Sequence, residues 1–295
     1  MISSSSNILP HFHSDHSLLW GLRFLALIAG SLLLLIVMFL LQESWPAFQH
    51  VGLRSFFTDE GWHPSEDLYL LTPMLWGTLW ASLGSIMLAA PLGIGSAVFI
   101  QYYAPSFLAK PYRRLIELLA GIPSVVFGLW GLVVLVPLIA RWQPPGPSLL
   151  AGILILFLMI LPTITLVVQA SLAQIPVSVI HHATALGLSR WSMIRSVILP
   201  TAKAGIFTGL FLGVARALGE TMAILMVCGN VVQSPSHLFD PIRTLTANIA
   251  LEVAYALGTH RSTLFVSGLL LMAMIVVFVV MAEGFRHREA NAHTK

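Results

Sequence analysis

Long runs of apolar residues are the feature of this sequence that most constrains its fold. The first run, residues 18–41, contains a single charged residue, Arg23. About 20 apolar residues in a helix are enough to cross a hydrocarbon layer roughly 30 Å thick. The sequence predicts six such helices, over residues 18–41, 72–102, 115–139, 149–171, 205–228 and 263–283. We therefore expect an all-α, polytopic membrane protein.

The composition excludes an ordinary soluble domain. Hydrophobic residues make up 57% of the chain and charged residues only 9%, whereas about 25% of the residues in a soluble domain are charged. A soluble chain so poor in charge could not cover its own surface.

The first apolar run is too long for the core of a secretory signal and has no cleavage site after it, so we interpret it as a retained helix.

The basic residues are distributed unequally between the two sides of the predicted membrane protein. One side includes both termini and the connections at 103–114 and 172–204, and it carries Arg23, Lys110, Arg113, Arg114, Arg190, Arg195, Lys203, Arg286, Arg288 and Lys295. The other side carries Arg54, Arg141, Arg243 and Arg261. Because cytoplasmic loops are the ones enriched in Lys and Arg, we predict a bacterial inner-membrane protein with cytoplasmic tails at 1–17 and 284–295 and a periplasmic loop at 42–71.

Two charged residues, Arg216 and Glu220, lie inside the fifth predicted helix. Arg216 would be about 16 Å deep at 1.5 Å per residue, and the four-residue spacing places both side chains on one helix face. An arginine near the bilayer centre costs about 2.5–3.5 kcal/mol on insertion scales, so it faces protein or an aqueous path. One interpretation is an ion pair that tolerates burial. We favour the other, in which Arg216 lines an anion route and Glu220 holds or releases its guanidinium.

A stripe of glycines precedes this pair on the same helix. Gly205, Gly209 and Gly213 recur every four residues, and small residues at that spacing let membrane helices approach closely. The stripe predicts that the fifth helix is central in the helix bundle.

Pro123 interrupts the third predicted helix. Proline removes a backbone hydrogen bond, and a neighbour such as Ser124 can re-satisfy the freed carbonyl. Either this segment borders the translocation path, or it is only a packing kink. In the first case Pro123 and Ser124, together with Thr221 in the fifth helix, are candidate lining residues.

The longest predicted cytoplasmic connection, residues 172–204, contains signals for two short helices. We predict the first over residues 170–185, with Pro176 near its start, and the second over residues 189–199, before Pro200. Gly187 would form the turn between them.

This connection resembles the EAA loop of ABC-importer permeases, because His-His-Ala-Thr-Ala-Leu-Gly runs from His181 to Gly187 and Val-Ile-Leu-Pro ends at Pro200. In that family the two short helices dock into a groove on the ATPase and transmit its closure to the membrane helices. The resemblance implies that His181, His182, Ala183, Gly187 and Pro200 belong to an ATPase-coupling loop. His181 stands where the family has a glutamate and His182 where it has an alanine, which implies altered docking chemistry. An exposed histidine pair with no special task is the alternative.

Other segments resemble the C-type permease of phosphate-specific (Pst) ABC importers. Two signatures are Leu-Ala-Gly-Ile-Pro-Ser-Val-Val-Phe-Gly at 119–128 and Arg-Ala-Leu-Gly-Glu-Thr-Met-Ala at 216–223, with Gly229-Asn230 following. Shorter matches lie at 55–58, Trp62, Pro64, Pro73, 77–79, 239–246 and 260–265. The resemblance thus extends from about residue 55 to residue 265.

The resemblance implies a type I importer permease fold, with a five-helix core within residues 72–283 and an added helix at 18–41. The implied partners are a sister permease subunit of the PstA type, a dimer of ATP-binding subunits and a periplasmic phosphate-binding protein, in addition to membrane lipid. Transport would proceed by alternating access, with ATP binding driving the outward-open state. Arg216 and Glu220 match charged positions that the family is thought to need for phosphate passage.

Two other classes of function remain to be weighed. A permease for sulfate or molybdate would have the same fold, because one arginine does not distinguish tetrahedral anions. A membrane enzyme is disfavoured, because the sequence contains no His-Glu-x-x-His and no Gly-x-Ser-x-Gly motif. It contains no Gly-x-x-x-x-Gly-Lys-Ser/Thr loop either, so we assign ATP hydrolysis to a partner.

We predict no cofactor bound by this chain, no metal site and no nucleic-acid partner. The histidines at positions 11, 13 and 16 are interpreted as part of a tail rich in serine and histidine.

Overall fold

The structure, a computed structural model, describes the backbone of residues 12–292 and the side chains of residues 18–281. The predicted tail at 1–17, with its histidines, and the tail at 284–295 therefore fall largely outside the described residues. The helices are α1 (Phe12–His50), α2 (Ser55–Thr58), α3 (Thr72–Val98), α4 (Ser106–Gly121), α5 (Ser124–Trp130), α6 (Val136–Ala140), α7 (Leu149–Ala173), α8 (Val177–Ala185), α9 (Arg190–Met193), α10 (Leu199–Thr201), α11 (Lys203–Gly219), α12 (Met222–Val227), α13 (Leu245–Glu252) and α14 (Gly258–Ala292).

Shorter elements extend or connect these helices. Three π-helical turns prolong α3, join α5 to α6 and join α9 to α10, at Phe99–Tyr103, Gly131–Leu135 and Ile194–Ile198. A two-stranded antiparallel hairpin follows α2, with strands β1 (Trp62–His63) and β2 (Leu68–Tyr69) around a 3-10 turn.

The predicted all-α membrane fold is confirmed, and the described residues contain four to six candidate membrane spans. Four described stretches are long and apolar enough to cross a membrane, namely Leu18–His50, Thr72–Tyr103, Leu149–Ala173 and Gly258–Met281. Two further segments are bent helix pairs, Ser106–Gly121 with Ser124–Ala140 at 94° and Arg190–Thr201 with Lys203–Gly219 at 71°. If each pair counts as one span, the described residues contain six.

The prediction of a continuous third helix over 115–139 is wrong. The chain leaves the helix at Ile122, whose φ of −70° and ψ of 128° are extended, and α5 starts after Pro123. A residue that precedes proline avoids the helical region because the proline ring clashes with it. The segment therefore consists of two helices at 94° to each other.

The predicted fifth helix over 205–228 is also divided. α11 ends at Gly219, Glu220 has an extended backbone (φ −72°, ψ 126°), and α12 begins at Met222. Hydropathy could not show this break, because apolar residues continue on both sides of it.

The first and last helices are longer than predicted. α1 continues to His50 and α14 to Ala292, past the predicted ends at residues 41 and 283. Hydropathy marks where lipid contact ends, whereas a helix continues until its backbone is interrupted. The two helices pack together, and the rings of Phe39 and Phe265 meet edge to face at 5.7 Å.

The glycine stripe packs α11 against the central helix α7. A Cβ atom added at Gly205 would collide with the Ser171 side chain. One added at Gly209 would approach Val168, and one at Gly213 would approach Ile164, at 3.1 and 3.0 Å. These neighbours lie on one face of α7, so the predicted small-residue contact is confirmed.

The predicted pair of helices in residues 172–204 is present with shifted boundaries. Residues 170–173 belong to α7, and α8 begins only after Pro176. Gly187 forms the turn with φ +74°, a conformation that glycine adopts without steric cost. The second helix runs through the π-helical turn and Pro200 to Thr201.

Candidate functional site

Arg216 lies in the last turn of α11, immediately before the break in the fifth segment. Its side chain is half-buried, and Nη1 donates to Thr163 Oγ1 of α7 at 3.2 Å. This is its one hydrogen bond within the part of the chain that the structure describes. An arginine carries five N–H donors, so most of the guanidinium remains available to a ligand.

Glu220 does not pair with Arg216 in this structure, which corrects the expectation that the two share a helix face. The helix ends at Gly219, so Glu220 leaves the row on which a four-residue spacing would place it over Arg216. Across the described residues, no ion pair joins the two side chains.

The hydrogen bonds of Glu220 instead stabilise the break. Its carboxylate Oε1 accepts from the backbone N–H of Ala223 at 3.2 Å, in the first turn of α12. Its backbone carbonyl accepts from Thr246 Oγ1 at 2.9 Å. A negative charge near a helix N-terminus is favourable, and the carbonyl that the break leaves unpaired is satisfied by Thr246. These two hydrogen bonds hold Glu220 in place at the break.

The structure brings the helices that follow the two breaks into contact. A Cβ atom added at Gly128 of α5 would lie 2.8 Å from the Cα of Ala223 in α12. Pro123 is exposed and Ser124 is half-buried at the start of α5, while the Thr221 hydroxyl donates to the Gly219 carbonyl at 3.3 Å. The candidate lining residues are therefore placed at the N-terminal ends of two packed helices.

The sequence did not predict the roles of Thr163 and Thr246. Thr163 accepts a hydrogen bond from Arg216, and Thr246 donates one to the backbone carbonyl of Glu220. Thr246 lies in the 239–246 segment that carried the family resemblance, which is the one signal that could have marked it. Thr163 follows Pro162 within an apolar helix and had no such signal. Neither contact can be inferred from spacing, because Thr163 and Arg216 are 53 residues apart.

A second polar cluster, also missed, surrounds the buried carboxylate of Glu252 at the end of α13. Oε1 accepts from Arg243 Nη1 at 2.6 Å, and Oε2 is 2.8 Å from His260 Nε2 and accepts from Trp62 Nε1 at 2.9 Å. Arg243 also donates through Nε to the carbonyl of Asn230 at 2.9 Å. We call Glu252, Arg243, His260 and Trp62 the Glu252 cluster. Its hydrogen bonds connect the hairpin, the 230–243 loop and the start of α14 to the end of α13.

The hairpin is further fixed by Tyr69, which packs against the Glu252 cluster. The Tyr69 and Trp62 rings meet at 5.6 Å, and the Tyr69 hydroxyl donates to Asp67 Oδ1 at 3.3 Å. Burial, and then the charge of Asp67, raise the pKa of Tyr69 to about 12. The hydroxyl therefore keeps its proton at every physiological pH and remains a donor.

The surface of the α8–α10 segment exposes both polar and large apolar side chains. His181 and His182 are exposed on α8, whereas Ala183 is buried and anchors the helix. Leu186 and Trp191 are 80% and 60% exposed. These two side chains leave apolar surface uncovered at this end of the chain.

No group of three or more histidine, cysteine or acidic side chains within the described residues could hold a metal ion. His181 and His182 are neighbours on one helix and point in different directions.

Comparison with known proteins identifies the family. The profile of the family described as "binding-protein-dependent transport system inner membrane component" matches residues 89–289. The probable ABC transporter permease protein YqgH of Bacillus subtilis is 40% identical over 232 residues, covering 77% of this chain and 75% of that protein. The phosphate transport system permease protein PstC of Mesorhizobium japonicum is 35% identical over 261 residues, covering 81% and 79%. PstC of Pasteurella multocida is 33% identical, with 88% of each chain covered.

Solved structures share the fold at lower sequence identity. A bacterial alginate ABC transporter in complex with its alginate-bound periplasmic protein superposes with a TM-score of 0.65 at 18% identity, covering 93% of this chain and 96% of that chain. The inward-facing MetNI methionine ABC transporter gives 0.60 at 18% identity, covering 73% and 94%. These likenesses show the type I ABC importer permease fold. The chain therefore belongs to the family of binding-protein-dependent transport system inner membrane components, among its PstC-type permeases.

Proposed function

We propose that this chain is the membrane-spanning half of the phosphate pathway in an ATP-driven importer. The observation that carries the proposal is the guanidinium of Arg216, which lies within a membrane-crossing segment and uses one donor on Thr163. Such a cation is costly in lipid, and its unused N–H groups suit the oxygens of a tetrahedral anion. The PstC relatives favour phosphate over sulfate or molybdate.

We infer that Glu220 can take a second arrangement, in which its carboxylate faces Arg216. In the conformation described above, its carboxylate is occupied by the N–H of Ala223 and leaves Arg216 free. A carboxylate turned toward Arg216 would compete with phosphate for the same donors and repel it. Movement at the break therefore controls whether the guanidinium can bind the anion, which is what alternating access requires of the pathway.

The proposed partners follow from surfaces that this chain leaves open. Exposed Leu186 and Trp191 on the α8–α10 segment suit the groove of an ATP-hydrolysing subunit. A second membrane subunit of the PstA type would complete the surroundings of Arg216, which this chain leaves half-buried. The hairpin and the 230–243 loop lie at the opposite end, where a periplasmic phosphate-binding protein would dock. Both termini are then cytoplasmic.

The test is uptake of labelled phosphate and labelled sulfate by the complete set of subunits, in a strain that lacks its own transporters for both. Arg216→Ala and Glu220→Ala should each insert normally and reduce phosphate uptake. For Arg216→Ala we expect a decrease of about 10- to 100-fold, because hydrogen bonds to charged groups contribute about 1.5–3 kcal/mol. Arg141→Ala, at an exposed position, is the matched control. Uptake of sulfate without phosphate would overturn the proposed cargo, and unchanged uptake in both variants would overturn the proposed pathway.

A further inference from the structure

An open crevice of about 680 Å³ runs alongside the contact between α7 and the α10–α11 segment, at the end where these helices lead into the α8–α10 segment. Its polar lining consists of Ser171 and Gln174 on the α7 side and Thr201 and Thr208 on the other. None of the described lining residues is charged. The other described lining residues are apolar, so the crevice is uncharged and holds a few polar groups in a mainly apolar lining.

The α7 wall of the crevice continues to Thr163. The lining residues on α7 fall at 166–167, 170–171 and 174, which is one helix face at steps of three to four residues. Thr163 is the next position of that series toward the membrane interior. The hydroxyl that binds Arg216 thus lies on the same face as the crevice.

The α11 wall leads to Arg216 in the same way. Thr208, Leu212 and Arg216 are spaced by four residues, and Leu212 between them is 44% exposed. At 1.5 Å per residue, Thr208 is about 12 Å from Arg216 along the helix. Thr163 and Arg216 therefore lie beyond the lined part of the crevice, on the same two helix faces.

The crevice offers hydrogen-bond donors that the protein does not use. The Thr208 hydroxyl donates to the Ala204 carbonyl at 2.9 Å and the Thr201 hydroxyl to the Val197 carbonyl at 2.6 Å. The Ser171 hydroxyl and the Gln174 amide have no hydrogen-bond partner within the described part of the chain. An anion in the crevice would meet these two donors and no competing carboxylate among the described lining residues.

We propose that this crevice is the cytoplasmic half of the anion path, and that Ser171 and Gln174 are the groups that receive the anion from Arg216. The inference rests on the proposed function, whose site it extends toward the cytoplasm. Neutral donors suit this role, because a conducting path must bind its ion weakly enough to release it. A second arginine here would retain the anion.

Cysteine accessibility in the assembled transporter tests the route. Cys228 is the one cysteine of the chain and is fully buried, so the unaltered protein provides a low background. Thr208→Cys and Gln174→Cys should react with a negatively charged, membrane-impermeant methanethiosulfonate applied to inside-out vesicles. Phe207→Cys is the matched control, since Phe207 is at the same depth, exposed, and outside the crevice lining. We expect it to react at least roughly tenfold more slowly, because the reactive thiolate does not form in an apolar environment.

Inorganic phosphate and the double variant Ser171→Ala/Gln174→Leu give the second measurement. Phosphate added to the vesicles should slow labelling of Thr208→Cys. The double variant should lower the maximal rate of uptake while the external phosphate concentration at half-maximal uptake stays nearly constant, since the donors act after Arg216. Equal labelling at positions 207 and 208, or no labelling at 208, would overturn the crevice as a path.

The labelling and uptake results test the proposed path separately from the proposed phosphate substrate. If Thr208→Cys is labelled selectively but the transporter takes up only sulfate, the path stands and the phosphate assignment fails. If phosphate uptake is normal and the crevice is closed to the reagent, the permease function stands and the path is wrong.

Discussion

Thr163 and Arg216 meet across the α7–α11 contact, with the guanidinium Nη1 3.2 Å from the threonine Oγ1. Thr163→Val keeps the shape of the side chain and removes its hydroxyl. Because this is the one described bond that orients the guanidinium, we expect the phosphate concentration at half-maximal uptake to rise about tenfold. Thr163→Ser retains an acceptor and should behave like the unaltered protein. Valine and serine variants with the same uptake curve would contradict a positioning role.

Glu220→Gln separates the charge of Glu220 from its structural contact. Glutamine still offers an oxygen to the N–H of Ala223, so the break should survive and the thermal midpoint of the purified complex should change little. If the negative charge acts in transport, uptake should nevertheless fall severalfold. Glu220→Ala removes both features and should also lower the thermal midpoint. Full uptake by the glutamine variant would limit Glu220 to its structural role.

The Glu252 cluster predicts a large loss of stability when one member is removed. Glu252→Leu leaves the buried Arg243 without its ion-pair partner, and the side chains of the pair are only 7% and 18% exposed. Breaking a buried pair in this way costs about 3–5 kcal/mol. Thermal unfolding of the purified complex and proteolysis of the 230–243 loop would measure the loss.

The double variant Arg243→Met/Glu252→Leu is the control for that experiment. Replacing both partners by apolar residues removes the unpaired charge, so it should recover part of the stability. A double variant as unstable as Glu252→Leu alone would mean that the ion pair is not the source of the effect.

The contact between α5 and α12 makes Gly128 intolerant of a side chain. In Gly128→Ala, the new Cβ would lie 2.8 Å from the backbone of Ala223, and a backbone atom cannot rotate away. We expect a loss of about 1–3 kcal/mol, as in other overpacked contacts. Gly95→Ala in α3 has no atom within 4 Å of the new Cβ and should be neutral or slightly stabilising, since alanine favours helix. Equal thermal midpoints for the two variants would contradict the close packing.

The sequence predicts those parts of the fold that depend on local chemistry. Apolar runs locate the membrane segments, Pro176 and Gly187 locate the α8 helix and its turn, and the glycine stripe identifies the face of α11 that packs closely. Each signal acts within a few residues of the structure that it specifies.

The candidate site was only partly predictable because its contacts are not local. Arg216 is conspicuous in the sequence, but its partner Thr163 belongs to another helix. The spacing of Arg216 and Glu220 predicts one shared helix face, because the apolar residues around Gly219 conceal the break there. The hydroxyl of Thr246, 26 residues away in sequence, donates to the backbone carbonyl of Glu220 at that break. No sequence pattern in the fifth segment predicts this hydrogen bond.

The glycine stripe has a mechanical consequence for a transporter that must change shape. Because α11 approaches Ser171, Val168 and Ile164 of α7 closely at these glycines, we expect the two helices to move together as one pair. Rotation has to be absorbed at its ends, at the 71° bend beside Ala202 and at Glu220. A movement that starts at the α8–α10 segment would thus be transmitted to Glu220, next to the proposed anion site at Arg216.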